Sequence, residues 1–156
     1  VLIMMTHKGN SQNNNTAIQF QNTTNDKVIK TDEEWKKILS PEQYDVLRKK
    51  GTEQPYSGKY YLFKGKGTYI CAACGAVLFK SDVKFDNAGC GWPSFFNVAD
   101  SSKVIYINDK ASGMIGTEVL CAKCGGHLGH VYDDSHTPTG LRYCINSVSI
   151  EFKGSK

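Results

Sequence analysis

The sequence predicts a mainly β domain, in which antiparallel strands follow two short helices and are tied together by a four-cysteine metal site. Three observations carry this reading: two capping patterns ahead of brief helical periods, a succession of short β-branched or aromatic runs, and two widely separated Cys-x-x-C pairs. The helices come first. Thr31 followed three residues later by Glu34 is a capping box, and Trp35, Ile38 and Leu39 form one apolar face behind it. Ser40 before Pro41 restarts a helix with a cap and a first-turn proline, and the pattern runs through Tyr44 and Leu47 to a stop at Gly51. From there the period changes. YYLF (60–63), YI (69–70), VLF (77–79), VIYI (104–107), EVL (118–120), HVY (130–132) and SVSIEF (147–152) are bounded by Gly, Asp, Asn and Pro, and each reads as a strand.

At 156 residues the chain suffices for one domain, burying about two thirds of its unfolded surface. That domain is placed at residues 31–156. Residues 1–30, with Asn at 10, 13, 14, 15, 22 and 25 and no periodicity, read as a flexible leader. It begins without Met, as expected of a trimmed or partial chain, and matches neither a transit peptide nor an intact signal peptide. The net charge of +4 is modest: Lys8, Lys27 and Lys30 against Asp26 place half of it in the leader. No basic stripe interleaved with aromatics marks a nucleic-acid surface, and no apolar run approaches the roughly 18 residues of a membrane helix.

Cys71-Ala-Ala-Cys74 and Cys121-Ala-Lys-Cys124 each let two thiolates of one turn reach one ion, with Gly75 and Gly125 directly after. Four thiolates make a closed tetrahedral zinc site, structural because no position is left for water. A redox Cys-x-x-C is the competing reading, but neither pair opens a helix after a strand. Two cysteines remain. Cys90 lies between Gly89 and Gly91 in a segment with turn character; Cys144 has Arg142, whose charge favours a thiolate, and Asn146 on its own face if the segment is a strand. His127 and His130 are the nearest source of donors. Three residues apart, they serve one site only if Gly129 marks a bulge or turn.

Beyond this point the residues resemble a known family, the B-type methionine-R-sulfoxide reductases. The segments that carry the resemblance are GTEQPYSG (51–58), YICAACGAVLF (69–79), KFDNAGCGWPSF (84–95), CAKCGGHLGHVYDD (121–134) and PTGLRYCINS (138–147), within a span from Trp35 to Phe152. The resemblance implies two twisted antiparallel β-sheets with short helices, and structural zinc away from the active site with no organic cofactor. It assigns Cys144 as nucleophile, Cys90 as resolving cysteine, and His127, His130 and Asn146 as polar groups lining the site. Trp92 becomes the wall for the substrate methyl group, with Phe95 and Arg142 also beside the substrate. The implied reaction reduces methionine-R-sulfoxide, free or in proteins, through a Cys144 sulfenic acid and a Cys90–Cys144 disulfide recycled by a thioredoxin-like partner, a repair of oxidative damage. Thiol chemistry that needs a reductant places the chain in the cytoplasm or a thioredoxin-containing organelle, and a monomer is expected. The chain departs from the family at Gly116, where many members have Arg, and at Ser135-His136, where they have Gly-Pro. Rival readings are a zinc-stabilised binding module and a peroxide sensor that uses the same two thiols.

Overall fold

The computed structural model describes residues 26–86, 89–108 and 116–156. Both helices form where the caps place them. Helix α1 spans Asp32–Ile38 behind a Thr31–Glu34 capping box, and α2 spans Pro41–Lys49 behind a second box, Ser40–Gln43. Lys50, rather than Gly51, takes the left-handed turn that ends α2. Of the apolar face expected on α1, Trp35 and Leu39 are buried, but Ile38 is 56% exposed. No helix among the described residues is long and apolar enough to cross a membrane.

Among the described residues nine strands follow: β1 Gly67–Cys71, β2 Val77–Lys80, β3 Lys84–Phe85, β4 Ser94–Phe95, β5 Val104–Asn108, β6 Thr117–Cys121, β7 His127–Asp133, β8 Leu141–Ile145 and β9 Ile150–Gly154. They make two antiparallel sheets, a three-stranded one ordered β2-β1-β9 and a six-stranded one ordered β3-β4-β8-β7-β6-β5. The architecture expected from the sequence therefore stands. Two strand assignments do not. Residues 60–63 form turns, because Tyr60 and Phe63 meet Tyr69 and Phe152 edge to face at 5.5 and 4.7 Å instead of pairing in a ladder. In SVSIEF only the second half is strand; Ser147–Ser149 is a 3-10 turn.

Side chains of a strand alternate between faces. One face of the larger sheet carries Phe95, Tyr143, Ile145 and Val119 into a continuous core, where Phe95 stacks on Phe79 with ring centroids 4.4 Å apart. Burying each side chain of that size contributes about 1.5–3 kcal/mol. Cys144, His130 and Glu118 belong to the opposite face. Leader residues 1–25 lie outside the described residues. Residues 26–28 meet the second Cys-x-x-C turn, with Val28 N–H donating to Lys123 O at 2.8 Å and Lys27 Nζ to Ala122 O at 2.5 Å.

Candidate active site

The strand registers place six directly opposed residues in one row across the larger sheet: Phe85, Ser94, Cys144, His130, Glu118 and Ile107. Opposed residues of antiparallel strands share a face, with Cβ atoms about 4.5–5.5 Å apart. Cys144 thus has Ser94 on one side and His130 on the other, and Glu118 lies one strand further on. Residues remote in sequence meet because four strands pair at this level.

Cys90 reaches the row from a loop. Gly89 and Gly91 on either side have φ of +67° and +84°, left-handed values open to glycine, and the turn folds Cys90 back over Ser94. The two sulfurs are 2.9 Å apart, both as free thiols. Ser94 Oγ lies 3.1 Å from the Cys90 sulfur, and Arg142 Nη1 is 3.7 Å from that of Cys144. Arg142 is itself held, its guanidinium over the Tyr132 ring at 5.3 Å and its Nε 3.4 Å from Asp134.

The two thiols ionise as a pair. The S–H that remains donates to the first thiolate formed, so the first proton leaves easily: this shared hydrogen bond, opposed by burial and helped by Ser94, brings Cys90 down to about 5. The same bond, and then burial, pushes Cys144 up. Labelling of the reduced protein by iodoacetamide is expected to reach half its maximal rate well below the free-thiol midpoint of about pH 8.5. Cys90→Ala, which removes the thiolate that accepts this bond, is expected to lower the midpoint for Cys144. An unchanged midpoint in that variant, read by mass spectrometry of the labelled peptide, would contradict the pairing.

Beside Cys144 opens a small cavity of about 50 Å³, lined by Thr52, Trp92, Gly129, His130, Tyr132, Cys144 and Asn146. It has room for the end of a side chain. The two histidines separate here. The β6–β7 register pairs Val119 with Gly129 but Leu120 with His127, leaving Leu128 as an extra residue. This bulge turns both imidazoles toward one region, with ring centroids 5.5 Å apart. His130 lines the cavity, whereas His127 is buried behind it, its Nδ1 2.9 Å from Glu118 Oε1; Lys50 Nζ donates to the other Glu118 oxygen at 3.0 Å. Burial holds the His127 imidazole below its ordinary pKa, against the opposing pull of Glu118.

Gly129 is required for a different reason. A Cβ there would lie 2.0 Å from the carbonyl oxygen of Cys144, so β7 and β8 approach closely only without a side chain. Gly129→Ala is expected to cost about 1–3 kcal/mol or more, seen as a lower urea midpoint, and to reduce activity in the fraction that folds. An unaltered midpoint would show that the ladder tolerates the methyl group.

Of the expected site residues, Cys90, Cys144, Trp92, His130, Asn146 and Arg142 come together. His127 stands one layer back. Phe95 is not brought to the site: alternation along β4 sends Ser94 toward the thiols and Phe95 into the core, where it is fully buried. Sequence reasoning missed Ser94, Glu118, Tyr132 and Thr52. The one available signal was a charged residue, Glu118, at the head of the apolar run EVL. At Gly116 a Cβ would meet the Tyr132 ring at 2.6 Å, so this tyrosine fills the space where a longer side chain would stand.

The four remaining cysteines cluster elsewhere. Their sulfurs all lie within 4.8 Å of one another, with Cys71–Cys124 at 3.7 Å and Cys74–Cys121 at 3.6 Å. Four ligands about 2.3 Å from a tetrahedral zinc ion would be about 3.8 Å apart, so the donor set and its dimensions fit. The two turns are built alike. Gly75 N–H donates to Cys71 O and Gly125 N–H to Cys121 O, both at 2.8 Å, and each glycine has positive φ.

A SelR domain model matches residues 39–154, nearly all of the folded region. The chain belongs to the SelR family. Among its SelR relatives, the peptide methionine sulfoxide reductase MsrB of Bradyrhizobium diazoefficiens is 60% identical over 131 residues, covering 84% of this chain and 94% of that protein. The protein of the same name from Leptospira interrogans is 57% identical over 129 residues, 83% and 98% of the two chains, and that from Methanosarcina barkeri 58% over 126, 81% and 88%. The resemblance read from the sequence is thereby borne out. The SelR match begins at Leu39, so α1 precedes it.

Proposed function

We propose that this chain is an oxidoreductase that converts methionine-R-sulfoxide, free or within peptides and proteins, to methionine, with Cys144 as nucleophile and Cys90 as resolving thiol. The observation that carries this reading is the juxtaposition of two thiols 2.9 Å apart beside a cavity that takes one side-chain end. The Cys144 thiolate attacks the sulfoxide sulfur while a proton passes to the oxygen, methionine leaves, and Cys144 becomes a sulfenic acid. Cys90 then attacks the Cys144 sulfur and expels the oxygen as water, giving one disulfide for each sulfoxide reduced. A thioredoxin-like dithiol restores both thiols.

Between the two histidines, the geometry favours His130 as the proton donor. It faces the cavity, whereas His127 is buried with its pKa lowered and better serves to orient its neighbour. Asn146 gives one amide hydrogen to Leu128 O and keeps the second for the sulfoxide oxygen. Trp92 supplies an apolar wall for the methyl group. The opposite epimer would turn its oxygen toward that wall, unpaired. Zinc held by Cys71, Cys74, Cys121 and Cys124 would supply structure and no chemistry. The protein would work as a monomer in the cytoplasm or a thioredoxin-containing organelle, repairing oxidised methionine.

The test is single-turnover reduction of the separate R and S epimers of a blocked methionine sulfoxide by prereduced protein, with free thiols counted before and after. Conversion of the R epimer alone, with loss of two thiols, is expected. Conversion of neither epimer by folded protein would overturn the reading.

A further inference from the structure

The strap Thr52–Gly58 crosses between the turn that carries Trp92 and the turn that begins at Asn146, and one of its residues touches both. Glu53 is only 6% exposed. Its backbone N–H donates to Asn146 Oδ1 at 3.0 Å, and its carbonyl oxygen accepts from Trp92 Nε1 at 3.1 Å. Its carboxylate accepts from Ser147 N–H at 2.8 Å on one oxygen and from Val148 N–H at 3.1 Å on the other. The strap is closed tightly over this carboxylate: a Cβ at Gly58 would lie 2.6 Å from Glu53 Oε1 and 2.2 Å from Ser147 Oγ. On the other side, Tyr56 N–H donates to Gly91 O at 2.6 Å, and a Cβ at Gly91 would lie 2.7 Å from Pro55.

We infer that Glu53 is a positioning residue: its carboxylate pins the strap to the Ser147–Ser149 turn, so that its backbone fixes the Trp92 indole and the Asn146 amide on opposite sides of the substrate cavity. This deepens the reading given under Proposed function and rests on it for the substrate. Glu53 touches neither thiol, so its action runs through the walls of the cavity. Burial raises the pKa of this carboxyl against the pull of the two backbone donors, so those two N–H bonds offset part of the cost of burying it. The two wall residues must be held together because a displacement of about 1 Å in a substrate-positioning group costs on the order of 100-fold in rate.

Two variants test this. Glu53→Ala removes both carboxylate bonds; Glu53→Gln keeps the shape but presents an amide donor to one of the two N–H groups, and keeps the assay usable where the alanine variant folds poorly. In Glu53→Gln, kcat/KM for a blocked methionine-R-sulfoxide is expected to fall about 10-fold or more, and in Glu53→Ala about 100-fold. The pH midpoint of thiol labelling should stay unchanged. The indole resonance of Trp92, one of two tryptophans, and the side-chain amide resonances of Asn146 are expected to shift in nitrogen–proton correlation spectra. Wild-type kcat/KM in folded Glu53→Gln, or an unmoved Trp92 indole resonance in both variants, would overturn the inference. Should the wild-type protein reduce neither epimer, the reductase reading fails, while the two resonances still decide whether Glu53 positions these groups.

Discussion

Cys144→Ser is expected to abolish reduction of the R epimer altogether, down to the first turnover, whereas Cys90→Ser is expected to yield one rapid equivalent of methionine and then stall with thioredoxin. A serine hydroxyl is not ionised at neutral pH, so it lacks the charge that attack on the sulfoxide sulfur requires. The nucleophile therefore has no substitute. In the proposed reaction Cys90 acts only after methionine has left, so its loss would spare the first chemical step and block the second. The measurement is rapid-quench assay of methionine per enzyme, with a sulfenic acid trap applied to the stalled Cys90→Ser protein. Multiple fast turnovers of that variant with thioredoxin would remove Cys90 from the resolving role, and residual turnover by Cys144→Ser would move the chemistry elsewhere.

Cys121→Ser is expected to prevent cooperative folding at 25 °C. The cluster takes Cys71 from the end of β1 in one sheet and Cys121 from the end of β6 in the other, so the bound ion would be the fastening between the two sheets. Zinc binding to such ligands is worth about 10–16 kcal/mol, as large as the whole stability of a typical domain, about 5–15 kcal/mol. Cys121 is fully buried, so the variant leaves an unfilled ligand position inside the protein. Loss of the thermal transition by circular dichroism, together with loss of stoichiometric zinc, is the expected result. A variant that melts like its parent would show that packing alone joins the sheets.

The helix starts were legible because capping is local: a hydroxyl and an acid or amide three residues apart specify the first turn wherever the chain sits. The metal cluster was legible for the same reason, since each pair of ligands belongs to one turn. Strands β3 and β4 were not, because two residues carry no period. YYLF misled because aromatic residues suit turns as well as strands when the core takes their rings, as it does those of Tyr60 and Phe63. At the site, the thiols and the histidines stood out by residue type. Ser94, Glu118 and Glu53 did not, since their importance depends on which strand or turn lies opposite, and that is decided by pairing across the sheet. Phe95 was misplaced for a related reason: its neighbour in sequence faces the thiols, but a strand sends adjacent side chains to opposite sides.

The cross-strand row has a consequence for motion. Cys144 sits on an inner strand, with β4 on one side and β7 on the other, so its backbone is released only when the sheet itself opens, in the slowest class of fluctuation the molecule has. Cys90 lies outside the ladder, in a turn between two glycines in left-handed conformations, and its excursions require only that this turn loosen its contact with Tyr56. Amide hydrogen exchange should therefore be slowest at residue 144 and fast at residue 90. The proposed disulfide would form between an anchored sulfur and a more mobile one, and whatever reduces it would meet the mobile partner first.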